Sequence, residues 1–158
     1  MSEPGAGLRI PLLPGQFTSA EREVAQIGAV RVSAFRYDNA IAALRVTAPR
    51  AELLILPFRG AQIWRAAFDE RDVTWRSMFE APVATDSYLE TYGAFFTHCG
   101  LLAMGAPGEG DDHPLHGELP LADFQTAEIR ADPATGRVTV AATRRHRVAF
   151  TAAYTATA

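Results

Sequence analysis

The 158 residues are enough for one domain with a hydrophobic core, and the 48% apolar and 21% charged content is that of an ordinary globular protein. Fifteen basic against eighteen acidic residues give a net charge of −3, which argues against a nucleic-acid-binding protein, because such proteins carry a basic surplus. No apolar run approaches the roughly 20 residues that cross a bilayer, and the first residues lack a signal-peptide pattern. A single cysteine allows no intrachain disulfide and fits a reducing compartment. These features predict a cytoplasmic protein that binds neither nucleic acid nor membrane.

The first 26 residues are interpreted as an N-terminal arm with the one helix expected in the chain. Thr18-Ser19-Ala20-Glu21 has the capping-box pattern, in which the threonine and glutamate side chains satisfy free amides at the start of a helix. It predicts a short helix over Glu21–Gln26.

The rest of the chain favours antiparallel β-structure. Ala29–Phe35 alternates apolar and polar residues, as a half-buried strand does. Further strands are predicted at Ile41–Thr47, Glu52–Pro57, Ala61–Phe68, Val73–Trp75, Phe124–Ala131, Arg137–Thr143 and Arg147–Thr155. Residues 77–120 interrupt this spacing with glycine- and proline-rich sequence that predicts loops. An all-β domain follows, and an open edge at its last strand would allow pairing with a second copy, a homo-oligomer.

Three of the four histidines lie within the loop-like stretch. His98 stands in Thr97-His98-Cys99-Gly100-Leu101, and His113 and His116 stand in His113-Pro114-Leu115-His116-Gly117. Imidazole titrates near neutrality and both donates and accepts protons, so clustered loop histidines indicate a polar functional site.

Three kinds of site are compatible with this cluster. A metal site would use the three histidines and a glutamate, although Pro114 lies between two of them and no HExxH motif is present. Nucleophilic catalysis would use Cys99 with His113 or His116. Acid–base chemistry or hydrogen bonding on a sugar would use His98, His116 and Arg59. A sugar ring would stack on one or two of the aromatic residues Trp64, Trp75, Tyr88, Tyr92, Phe95 and Phe96.

Four motifs occur in an order that resembles the aldose 1-epimerase (galactose mutarotase-like) superfamily. They are the Leu-Pro-Phe-Arg-Gly strand end within Leu54–Ile63, then Asp72–Trp75, His98–Leu101 and Leu115–Gly117. The likeness is to a branch of uncharacterised proteins with Cys-Gly-Leu and Leu-His-Gly motifs, and it covers roughly residues 25–125.

The resemblance implies an antiparallel β-sandwich of the galactose mutarotase type, with a sugar-binding cleft and no cofactor. It assigns His116 to substrate binding and catalysis, His98 to an assisting role as hydrogen-bond donor or acid, and Arg59 to substrate binding. His113 and Glu118 flank the Leu-His-Gly motif and are predicted to bind substrate as well.

The chain also departs from this superfamily. Its members are longer, and their general-acid histidine and general-base glutamate lie in a C-terminal half; His146, in an arginine-rich turn, does not match that histidine. Residues 1–158 are therefore interpreted as one domain without that half, expected to bind a monosaccharide or sugar derivative and to turn it over weakly or not at all. The alternatives are a metal-dependent, cupin-like sugar isomerase and a non-catalytic sugar-binding domain.

Overall fold

Two antiparallel sheets form the fold in a computed structural model that describes residues 7–145 and 151–157, with side chains described for 7–145. Six strands pair in chain order in the larger sheet, and the smaller sheet has the order β1-β8-β9-β10. The strands are β1 (Leu8–Leu12), β2 (Arg22–Ile27), β3 (Val30–Arg36), β4 (Ala42–Ala48), β5 (Ala51–Leu56), β6 (Gln62–Phe68), β7 (Arg71–Asp72), β8 (Thr126–Asp132), β9 (Arg137–Arg145) and β10 (Thr151–Thr157). Two short 3₁₀ turns, Pro14–Gln16 and Tyr88–Thr91, are the helical elements of these residues, and neither could span a membrane.

The two sheets pack face to face around one hydrophobic core. Because side chains alternate along a strand, every second residue of each sheet points towards the other sheet. Val32, Leu44 and Ile55 from the larger sheet share a buried cluster with Ile129 and Val140 from the smaller one. The predicted all-β sandwich is therefore confirmed.

The predicted helix over Glu21–Gln26 is wrong, because this segment forms strand β2. A two-residue turn at Gly28 joins Ile27 to Val30, and β2 then pairs with β3 along its length. The hydroxyl of Thr18 donates to the carbonyl of Ala20 and caps no helix. Burial of Ile27 against the sandwich core outweighs the local capping pattern, since helix propensity is only a weak prior.

Both ends of the chain differ in detail from the predictions. The N-terminal arm contains β1, which pairs with β8 and so becomes part of the smaller sheet. The last strand was expected over Arg147–Thr155 and is found at Thr151–Thr157. His146 and Arg147 of the basic run lie outside the described residues. Val73–Trp75 was expected to be a strand, but the strand that pairs with β6 at this point, β7, is confined to Arg71–Asp72.

The outer face of the larger sheet carries a second apolar cluster that receives the long loop between β7 and β8. Opposite Leu54, strand β6 contains a β-bulge in which Trp64 is the extra residue. Trp64 is 1% exposed and packs with Leu56 and Ala43 on this face. Ala94 from the loop completes the cluster, so the loop is anchored to the sheet by apolar packing.

Candidate functional site

The long loop is held along strand β6 by backbone hydrogen bonds. The amide of Ile63 donates to the carbonyl of Phe96 at 3.1 Å, and the amide of Phe96 donates back at 3.0 Å. Beside this pair, the amide of Phe95 donates to the carbonyl of Trp64 at 3.2 Å. These bonds place an aromatic-rich segment next to a rigid strand, which is how a loop side chain acquires a fixed position.

An aromatic cleft of about 300 Å³ opens in this loop. Its walls include Trp75, Tyr88, Thr91, Tyr92, Phe95 and Phe96. Trp75 is 68% exposed and Tyr92 is 64% exposed, so both rings are free to contact a ligand. The sequence also offered Trp64 as a stacking residue, but its burial under the loop removes it from that role.

The rings of His98 and His116 each contact an aromatic residue that lines the cleft, while the histidines themselves are not among its lining residues. The ring of His98 meets Phe96 edge-on, with centroids 5.2 Å apart, and the ring of His116 lies 4.4 Å from that of Tyr88. The amide of Gly100 donates to the carbonyl of His116 at 2.9 Å, which joins the two histidine motifs through their backbones. The two histidine motifs are therefore neighbours in the loop, and the catalytic roles of His98 and His116 stay predictions.

His116 is held in a backbone conformation that non-glycine residues rarely adopt. Its φ is +63°, in the left-handed region, and its amide donates to the carbonyl of Gly105 at 2.7 Å. Gly117 follows with φ +86° and packs against the backbone of Ala103 and Gly100. Strain of this kind persists only where surrounding contacts fix it, and it is frequent at functional sites.

Glu118 and His113 mainly organise the loop around the cleft. One carboxylate oxygen of Glu118 accepts hydrogen bonds from the amides of Leu101 and Leu102, at 2.8 and 3.0 Å. The Nδ1 atom of His113 lies 2.8 Å from the carbonyl oxygen of Pro114. Substrate binding by Glu118 and His113 stays a prediction. Within the described chain, no group of three His, Cys, Asp or Glu side chains is placed to hold a metal ion.

Arg59 lies in a different pocket from the two histidines. This sheet-end pocket, of about 390 Å³, is lined by Arg36, Ile41, Phe58, Arg59, Phe124 and Gln125, at the end of the sandwich where β3 ends and β8 begins. The guanidinium of Arg59 bonds Asp123 at 3.0 Å and also donates to the carbonyl of Thr85. Its Nε atom is buried without a hydrogen-bond partner among the described residues. Arg59 therefore lies apart from the aromatic cleft, and its role in substrate binding stays a prediction.

Sequence reasoning missed Arg36 and Gln125 as lining residues. They come from β3 and from the residue before β8, which are far apart in the chain and carry no local motif. The packing of the two sheets against each other brings them together, and a single sequence contains no local signal for that packing.

Burial of His98 in the loop has a consequence for the pH dependence of stability. Desolvation lowers the pKa of His98, because a buried imidazole is harder to charge. In the unfolded chain the same imidazole titrates near about 6.5, so the unfolded state takes up its proton first as the pH falls. Stability is therefore full above about pH 6.5 and falls as the pH drops from there through the folded-state pKa.

We expect the melting temperature of the wild-type protein to fall between pH 7 and pH 5 more steeply than that of a His98→Gln variant. The carboxylates whose pKa is lowered by ion pairs, such as Glu128, lose their contribution only at more acidic pH. Thermal unfolding followed by circular dichroism at several pH values measures both slopes. Equal slopes for the two proteins would show that His98 is not desolvated in the fold.

The fold is an all-β sandwich whose long loop contains a cleft lined by aromatic residues. Residues 39–155 match the family described as a domain of unknown function (DUF4432), and the chain belongs to this family. The comparisons find no functionally curated protein and no solved structure that matches the chain.

Proposed function

We propose that this protein is a cytoplasmic carbohydrate-binding protein that holds a monosaccharide or sugar derivative in the aromatic cleft. The observation that carries the proposal is a cleft lined by two exposed aromatic rings, Trp75 and Tyr92. Two further lining residues, Phe96 and Tyr88, contact the rings of His98 and His116. Sugars present apolar C–H faces and polar edges, so a site for them combines a flat aromatic surface with hydrogen-bonding groups.

The size of the cleft suits one sugar ring. Small-molecule sites in proteins begin at about 300 Å³, so a cleft at this lower limit favours a monosaccharide over an oligosaccharide. The exposed face of Trp75 would take the C–H face of the ring, and the hydroxyls would reach the histidine side. Resemblance to the aldose 1-epimerase superfamily points to the same ligand class.

The two histidines suit proton transfer on such a ligand. Burial lowers the pKa of His98 and so favours the neutral imidazole, which is the form that can accept a proton from a sugar hydroxyl. This differs from the assisting acid role expected from the sequence, and it makes His98 the candidate base of the pair. Interconversion of sugar anomers is the reaction that one placed base and one placed donor would accelerate, by about 10²–10⁴-fold per group.

Calorimetric titration with a panel of simple aldoses tests the binding proposal. We expect one or more aldoses to bind the wild-type protein, a Trp75→Phe variant to keep most of the affinity, and Trp75→Ala to lose about tenfold. Aromatic stacking contributes about 0.5–1.5 kcal/mol beyond area burial, and about 1.4 kcal/mol corresponds to tenfold in affinity. Met78→Ala is a matched control, because Met78 is 88% exposed and does not line the cleft.

Two outcomes of this titration would contradict the proposal. No binding of any aldose would remove carbohydrate as the ligand class. Binding that is lost after dialysis against a chelator would favour the metal-dependent isomerase instead. Exchange spectroscopy of the bound sugar by NMR adds the catalytic readout, since a binding-only protein leaves anomer exchange at the uncatalysed rate.

A further inference from the structure

The sheet-end pocket has the chemistry of a second binding site. Its floor is apolar, formed by Ile41, Phe58 and Phe124, and Ile41 and Phe124 are buried in the fold. Pockets that bind small molecules combine such a floor with a few polar groups at fixed positions. Its lining shares no residue with that of the aromatic cleft, so a ligand here would be independent of any sugar bound there.

The polar groups of the sheet-end pocket that are free to bind a ligand are hydrogen-bond donors. The guanidinium of Arg36 is exposed and contacts no hydrogen-bond or ion-pair partner within residues 7–145. Gln125 accepts a hydrogen bond from the amide of Arg145 through its Oε1 atom at 2.8 Å, which orients the side chain and leaves the amide NH₂ as a donor. Asn39, by contrast, uses both ends of its side chain within the protein.

The charge around the sheet-end pocket is positive. Asp123 at its rim is the one acidic lining residue, and its carboxylate already pairs with Arg59 at 3.0 Å. The guanidinium of Arg144 donates to the Asp123 carbonyl at 2.8 Å, which adds a third arginine beside this rim residue. A negative group entering the pocket therefore meets more positive than negative charge.

We propose that the sheet-end pocket binds a small organic anion with an apolar body. The body packs on Ile41, Phe58 and Phe124, and the carboxylate or phosphate accepts hydrogen bonds from Arg36 and Gln125. Arginine suits such a head group because its planar guanidinium offers paired N–H donors to two oxygens.

Benzoate is the probe for this site. Phenyl phosphate tests a phosphate in place of the carboxylate, and benzyl alcohol is the neutral compound for comparison. We expect calorimetry to show benzoate or phenyl phosphate binding to the wild-type protein and benzyl alcohol binding at least tenfold more weakly. Arg36→Gln should weaken anion binding about tenfold, the loss of one charge-assisted hydrogen bond. Arg36→Lys should restore part of the affinity by restoring the charge.

Arg31→Gln is the matched control, because Arg31 is an exposed arginine on the same strand that does not line the sheet-end pocket. It should bind benzoate as the wild type does, and all three variants should keep the wild-type melting temperature. The proposal is overturned if benzyl alcohol binds the wild-type protein as tightly as benzoate does. It is also overturned if Arg36→Gln and Arg31→Gln bind benzoate with equal affinity. Aldose titrations of the same variants test the sugar proposal separately, because the sheet-end pocket and the aromatic cleft share no lining residue.

Discussion

A Gly117→Ala variant should be destabilised by about 3 kcal/mol or more and should lose the aromatic cleft. A Cβ atom at Gly117 would lie 2.2 Å from the carbonyl oxygen of Ala103 and 2.6 Å from that of Gly100. Both obstacles are backbone atoms, so the loop cannot yield by rotating a side chain. The φ of +86° adds backbone strain that glycine alone avoids. Denaturant unfolding and aldose titration measure the two effects.

A Gly136→Ala variant measures the free-energy cost of the left-handed backbone without the steric clash that a Cβ atom meets at Gly117. Gly136 has φ +68° in the turn between β8 and β9, and a Cβ atom there would meet nothing within 4 Å. Its substitution should therefore cost only the left-handed backbone penalty of about 1–2 kcal/mol. If Gly117→Ala were no less stable than Gly136→Ala and still bound the aldose, the close packing of the two histidine motifs would be refuted.

A His116→Gly variant should bind aldose at least tenfold more weakly than the wild type and yet be more stable than His116→Ala by about 1 kcal/mol. Both substitutions remove the imidazole, but only glycine relieves the left-handed strain at φ +63°. The imidazole would contribute a hydrogen bond to the sugar, whose loss costs about 1–3 kcal/mol when a polar partner is left unpaired. Denaturant unfolding and calorimetry of the two variants give the stability and the affinity.

Ala40→Gly is the control for the His116→Gly and His116→Ala variants. Ala40 has φ +70° and does not line the aromatic cleft, so its replacement by glycine should raise stability while leaving aldose affinity unchanged. If His116→Gly binds aldose as tightly as the wild type does, His116 is a loop residue without a ligand role.

The fold was predictable from the sequence where the pattern was local. The alternation in Ala29–Phe35 and the turn residues before Arg137 reproduce β3 and the β8–β9 hairpin closely, because strand periodicity and turn chemistry act over a few residues. Strand β1 was missed because it depends on β8, which lies near the other end of the chain. The prediction of a helix at Glu21–Gln26 was wrong for a similar reason, because pairing with β3 decides the conformation of this segment.

The sequence pointed to the loop that contains the candidate site, but it did not determine which residues line the cleft. Clustering in the sequence drew attention to His98 and His116, and in the structure each contacts an aromatic residue that lines the cleft. Which aromatic residues are available could not be derived, because the exposure of Trp75 and the burial of Trp64 depend on a bulge and on the path of the loop. Arg59 was grouped with the histidines through the family resemblance, but its pocket is formed by the sheet ends.

The different pairing orders of the two sheets have a consequence for how the chain folds. Every pairing in the larger sheet joins strands that follow one another in sequence, so each hairpin closes a short loop at small entropic cost. The smaller sheet needs Leu12 to meet Ala127, which closes most of the chain into a single loop. Because non-local contacts form slowly, we expect the meander to assemble first and the docking of β1 onto β8 to limit the folding rate.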